Sequence, residues 1–199
     1  MAIAAVGVVS PAYWYLTRAT GVMSLLLLTC VVALGVANAA RLTTSSWPRF
    51  LTDGVHRRAS MLALAFLAIH IITTVLDTFV SISLFDAVIP FIGSYRPFWL
   101  GLGAAAFDML LAVWISSLLR ARVGARTWRS LHWLAYACWP VAVLHSIGTG
   151  TDVHQGWMFA VYVVCVAVLI VALWVRLRAG AYMDSVGRTA VGAAEARGR

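Results

Sequence analysis

Five stretches of this chain, residues 13–39, 58–81, 98–119, 130–148 and 157–176, are apolar and long enough to need a bilayer rather than water around them. A hydrocarbon core of about 30 Å takes roughly 20 residues of helix to cross. Inside it every backbone polar group must find its partner within the protein, so runs of this length and texture are helices. The shortest, 130–148, begins with Ser130 and His132 and contains Pro140, so its ends are the least defined. Residues 85–97 are too short and too rich in turn formers to cross, and read as an interfacial loop or short surface helix. The expectation is an all-α integral membrane protein, a five-span bundle over residues 1–178, followed by a disordered basic tail over 179–199.

Composition removes the other classes. The chain of 199 residues is 62% hydrophobic and 11% charged, where a soluble domain is roughly 45–50% apolar and about 25% charged. Disorder, a nucleic-acid-binding domain and a disulfide scaffold all need more polar residues or more cysteine. The three cysteines, Cys30, Cys138 and Cys165, fall inside apolar runs and read as packing residues.

The net charge of +8 reports orientation rather than a polyanionic partner. Thirteen of the fifteen arginines fall in residues 41–58, 120–129 and the tail from 176, on one side of a five-span arrangement; only Arg18 and Arg96 fall on the other. The positive-inside rule then places the amino terminus outside and the carboxyl terminus in the cytoplasm, in a cell membrane. A competing reading takes Ala37-Asn38-Ala39 as a signal-peptidase site, but the preceding segment has no basic leader region and cleavage would export an arginine-rich loop.

Four of the five histidines bracket two of the spans. His56 and His70 have thirteen residues between them, and His132 and His145 have twelve. At 1.5 Å per residue the pairs are separated by roughly 20 Å along their helices. Spans two and four run the same way, so His56 meets His132 near the cytoplasm and His70 meets His145 toward the outside. Two cross-helix pairs at matched depths are what two stacked haems need, each iron held by one imidazole from either helix. With no Cys-x-x-Cys-His, the haems are b-type. Fourteen steps at about 100° bring His56 and His70 to within roughly 40° of one face, whereas thirteen leave His132 and His145 roughly 140° apart. Span four is therefore expected to be bent or overwound near Pro140. The alternatives are isolated polar residues hydrogen-bonded in a bundle, or a metal transporter, whose ligands should converge on one ion.

Gly21 and Gly35 repeat the fourteen-residue interval in span one. They leave room for flat macrocycles, or simply allow close helix packing. Arg57, Arg58 and Arg129 beside the inner pair, and Arg18 and Arg96 beside the outer, are candidate partners for haem propionates, or snorkel to headgroups. Arg18 breaks the positive-inside pattern and so wants a reason. Trp133 and Trp139 pack on the porphyrins or serve as core aromatics. Asp108, near mid-depth in span three, is a hydrogen-bonded neutral acid or a proton site. His154 and Asp152 belong to a short outer loop that is solvated, binds a ferric chelate or bonds a propionate.

At this point the chain resembles the ferric reductase-like transmembrane domain family, particularly its short bacterial members, with a histidine spacing similar to the haem core of NADPH oxidases. The likeness rests on Tyr95-Arg96-Pro97-Phe98-Trp99-Leu100-Gly101-Leu102-Gly103, Leu131-His132-Trp133-Leu134-Ala135-Tyr136 and Gly148-Thr149-Gly150-Thr151-Asp152, with Trp14, Arg18 and Gly21 in the first span. It covers about residues 13–178 and implies a bundle with two b haems ligated by His56, His70, His132 and His145. Such a bundle carries electrons from a cytoplasmic flavin or iron–sulfur donor to an outer acceptor: ferric iron, a flavoprotein or oxygen. Larger members continue into an FAD- and NADPH-binding domain. Only some twenty residues follow span five here, without a Gly-rich nucleotide loop, so the reductase is expected to be a separate protein. A quinone-linked cytochrome b and a haem-free metal or proton transporter are the other function classes left open.

Overall fold

The computed structural model describes the backbone of residues 11–40 and 48–197, with side chains up to residue 179 apart from Arg49. Arg41, and the side chains of Arg49, Arg188, Arg197 and Arg199, lie outside the described residues. Seven helices make up the described fold: α1 Pro11–Ala39, α2 Arg49–Leu76, α3 Leu84–Val88, α4 Pro97–Leu118, α5 Arg120–His132, α6 Leu134–Thr149 and α7 Gly156–Arg197. Four of them, α1, α2, α4 and the Gly156–Ala179 part of α7, are long and apolar enough to cross a membrane, and α6 is a shorter apolar helix. The protein is a multi-pass helical membrane protein. Its large exposed side chains agree: Met61, Leu62, Ile69 and Ile72 on α2, and Ile170, Val171, Trp174 and Leu177 on α7, point away from the bundle. A water-soluble chain does not expose apolar surface on that scale.

Boundaries differ where polar residues extend a helix beyond its apolar run. The apolar run puts the second span over 58–81, but α2 begins at Arg49, behind Pro48 in extended conformation, and stops at Leu76, where Asp77 turns extended. His56 therefore lies inside the helix rather than at its edge. The interfacial segment forms α3, closed by a reciprocal capping box between Ser83 and Asp86. Arg96 adopts a left-handed conformation at φ 40°, and Pro97 opens α4 at the position where a missing N–H costs nothing. The backbone of α7 stays helical to Arg197, across the segment for which composition suggests a disordered tail.

The fourth span departs most. The irregular turn lies not at Pro140, which sits inside α6, but around Trp133, where α5 meets α6 with the backbone still helical at φ −63°, ψ −22°. There the ladder tightens: the Trp133 N–H is shared between the carbonyls of Arg129 and Ser130, each at 3.3 Å, and the Tyr136 N–H donates to Trp133 O at 3.0 Å. The two i→i−3 bonds, to Ser130 and to Trp133, overwind the turn between the two histidines in the sense that the angular arithmetic demands. Residues 120–129, the arginine-bearing segment before the fourth apolar run, are helical with a kink at Gly124 (φ 78°, ψ 160°), a conformation that suits a residue without Cβ.

α1 is the hub. It packs against α2, α6 and α7, while α4 packs against α3, α5 and α6. At mid-depth Leu28, Val32, Ala106 and Cys138 are buried together, with Met109, Leu110 and Trp139 against them. Trp139 Nε1 donates to Thr29 Oγ1 at 2.8 Å, and Cys138 Sγ–H to Ala106 O at 3.3 Å, so the plug is tied from α6 to both α1 and α4. Cys138 and Cys165 are buried as expected of packing residues, but Cys30 is exposed on the outside of the bundle.

Candidate cofactor site

The four histidines come together as the two expected pairs, one on either side of this plug. On the side of the α6–α7 loop, His70 on α2 and His145 on α6 line one cavity of about 320 Å³, together with Gly21, Gly103 and Arg18. Each imidazole rests against a glycine of the adjacent antiparallel helix. A Cβ built on Gly21 would stand 3.0 Å from Cε1 and Nδ1 of His70, and one on Gly103 only 2.5 Å from the same atoms of His145. Real Cβ atoms essentially never approach that closely, so Gly103 is required by the position of the ring.

The reason for the close approach is a hydrogen bond. His70 Nδ1 lies 2.8 Å from Thr17 O, and His145 Nδ1 lies 2.8 Å from Trp99 O. Each carbonyl belongs to the residue four before the glycine, so it faces the helical N–H of that glycine and uses its second lone pair for the ring. A carbonyl only accepts, so the proton sits on Nδ1 and the Nε2 lone pair is free for a metal. Thr17 is itself tied to α2, its Oγ1 donating to Thr73 Oγ1 at 2.9 Å.

On the opposite side of the plug the same device recurs once. His56 Nδ1 lies 3.1 Å from Val31 O, four residues before Gly35, whose Cβ would meet His56 Cε1 at an ordinary 3.6 Å. The partner ring, His132, has its centre 6.3 Å from that of His56, with the planes inclined by 56°. His132 breaks the pattern. Among the described residues its buried Nδ1 has no hydrogen-bond partner, and Trp128 lies over its ring at 5.0 Å and 31°.

The cations are placed less as expected. Arg18 forms an ion pair with Asp152 and lies over the Trp14 ring, 3.9 Å from its centroid. That pair supplies the reason the sequence demands for an arginine on the arginine-poor side. It also removes Asp152 from the solvated outer loop; His154 stays exposed. Arg96 Nη1 donates to Gly148 O at 2.6 Å, pinning the start of α4 to the end of α6. Arg57, Arg58 and Arg129 are exposed beside the inner pair. Trp139 belongs to the central plug, whereas Trp133 is exposed and packs on Tyr136. Asp108 is half-buried on α4.

Sequence reasoning missed Gly103 as the counterpart of Gly21, and with it the carbonyls of Thr17, Val31 and Trp99. A signal for Gly103 existed in its place fourteen residues before Ser117, but a serine in the second position hides the repeat. Backbone acceptors leave no trace in residue identity.

Among the described residues no three His, Cys, Asp or Glu side chains gather into one metal-binding group. The histidines gather instead in two pairs, His70 with His145 around one cavity and His56 beside His132. No curated protein and no solved structure matches the chain. The sequence model described as ferric reductase like transmembrane component matches residues 20–143. With apolar helices that cross the membrane and paired intramembrane histidines, the chain belongs to the family of ferric reductase-like transmembrane components.

Proposed function

We propose that the protein is a transmembrane electron carrier holding two haems b, the outer one between His70 and His145 and the inner one between His56 and His132. It passes electrons from a cytoplasmic flavin or iron–sulfur donor to an extracytoplasmic acceptor: ferric iron, a flavoprotein or oxygen. The observation that carries this reading is the facing of neutral imidazoles, three with Nδ1–H held by a backbone carbonyl and Nε2 left free. Such an outer hydrogen bond fixes the tautomer and raises the donor strength of the ring.

The residues fit the group. The ring centres of His56 and His132 stand 6.3 Å apart, a separation at which both imidazoles could ligate one iron through bonds of about 2 Å each. The cavity between His70 and His145 has largely apolar walls, while the room left by Gly21 and Gly103 is taken by the imidazoles themselves. Haem supplies a one-electron couple on iron whose potential the protein sets through ligands, burial and hydrogen bonds. The chain contributes fixed spacing, exclusion of water by the plug around Leu28, Val32 and Trp139, and positive charge. Arg57, Arg58 and Arg129 provide that charge on the inner face, where they can also meet an acidic donor surface. A fifth crossing by α6, an outside amino terminus and a place in a bacterial plasma membrane complete the proposal; the arginine asymmetry supports the orientation.

The test is a pyridine haemochrome assay on purified protein from haem-replete cells, with reduced-minus-oxidised spectra. Two haems b per chain are expected, with one lost on His70→Ala or His145→Ala and the other on His56→Ala. A folded protein without haem would sink the reading and favour a metal or proton transporter using the same histidines.

A further inference from the structure

The four imidazoles are related by a simple rule of which one corner is an exception. On α1 and α4 a small residue stands at positions 21, 35, 103 and 117, each pair fourteen apart; those at 21, 35 and 103 face His70, His56 and His145, and the one at 117 bonds Trp128, which lies over His132. Three of these are glycines, and in each case the carbonyl four residues earlier takes the Nδ1–H of the ring. The fourth is Ser117. The carbonyl four residues before it, Val113 O, already accepts from Ser117 Oγ at 2.7 Å and from Ser116 Oγ at 3.0 Å. Trp128 Nε1 donates to Ser117 Oγ at 3.2 Å, which draws the indole over His132. Arg120 lies on the indole, 4.1 Å from its centroid. By the rule of the other three, the carbonyl due to hold His132 is thus occupied, and among the described residues its buried Nδ1 has no partner.

We infer that Ser117 and Trp128 make His132 the displaceable ligand of the inner haem, and that a small neutral diatomic molecule can take its place on the reduced iron. The inference rests on the proposed haem-carrying function. An imidazole whose Nδ1–H is held by a carbonyl is a stronger donor to oxidised metal and is fixed in orientation; one without that bond is weaker and free to rotate. His132 also sits at the tightened turn around Trp133, where α5 meets α6, eight residues after the kink at Gly124. Ser117 and Trp128 are positioning residues: they act on the site only through His132.

Carbon monoxide is the probe. Difference spectra of the dithionite-reduced protein, with and without carbon monoxide, are recorded for the wild type and for Ser117→Gly, alongside redox titrations of both. The inner signal is identified as the one that persists in His70→Ala. One haem of the wild type, the inner one, is expected to bind carbon monoxide. In Ser117→Gly, which clears the space and one claim on Val113 O, its affinity is expected to fall at least tenfold. The inner midpoint is expected to move down and the outer to stay. Trp128→Phe, which keeps the aromatic overlay and removes the bond to Ser117, should shift both inner values the same way by less. A wild type in which neither haem binds carbon monoxide, or binding at the outer haem alone, overturns the inference, as does inner binding unchanged in Ser117→Gly. Absence of haem from the protein is a different result, and fails the function proposed above instead.

Discussion

Gly103 lies so close under the imidazole of His145 that a single methyl group there would come within 2.5 Å of Cε1 and Nδ1. The same measure is 3.0 Å for Gly21 against His70 and 3.6 Å for Gly35 against His56. The three glycines therefore predict a graded series. Gly103→Ala must displace its ring and should abolish most outer-haem binding; Gly21→Ala should weaken it; Gly35→Ala should bind close to the full complement. Haem per polypeptide, counted by pyridine haemochrome, checks the order. Equal losses at all three positions would mean the glycines serve helix packing alone.

The ion pair of Arg18 and Asp152 ties α1 to the loop between α6 and α7, and both side chains are largely covered, at 27% and 16% exposure. Removing one partner leaves the other charge in poorly hydrated surroundings. Asp152→Asn should cost about 1–3 kcal/mol, between the values for exposed and fully buried pairs. Adding Arg18→Gln to it should recover part of that loss. Thermal unfolding in detergent of the two single variants and the double variant gives the coupling directly.

Trp139 and Thr29 bond across the central plug. In hydrocarbon surroundings such a contact is worth about 0.6 kcal/mol on average and up to roughly 1.7. A double-mutant cycle of Thr29→Val and Trp139→Phe should return a coupling in that range. A coupling near zero would show that the plug is held by packing alone.

The proposed orientation predicts which side each loop faces. Cysteines placed at Arg122 and at His154, in a background lacking Cys30, should react with a membrane-impermeant maleimide from opposite faces of intact cells. Only the His154→Cys protein should be labelled from outside. The reverse pattern would overturn the orientation without touching the haem assignment.

Helical periodicity makes the pairing of the histidines legible in the residues themselves. His56 and His70 share a face because fourteen steps nearly complete four turns, and their meeting with His132 and His145 is set by helix direction. The angular conflict between His132 and His145 is equally legible, and it requires an irregular turn between them. Its place is not. Proline is the strongest local cue for a break, yet α6 accommodates Pro140, and the overwinding occurs at Trp133, where an arginine-rich helix passes into an apolar one. Charge counting marks Arg18 as anomalous, but Asp152 is its neighbour only after the chain has crossed back to the same side. The carbonyls that hold the rings belong to Thr17, Val31 and Trp99, three residues with nothing in common but their position before a glycine.

The kink at Gly124 has a mechanical consequence. His56 and His70 share one unbroken helix, α2, whereas His132 stands on α5, whose backbone leaves helical conformation at Gly124 (φ 78°, ψ 160°). The first turns of α5 can therefore open locally while α1 and α2 stay closed. Amide hydrogen exchange should begin around Gly124 long before it reaches α6, so the arginine-rich end of the molecule should loosen first on heating.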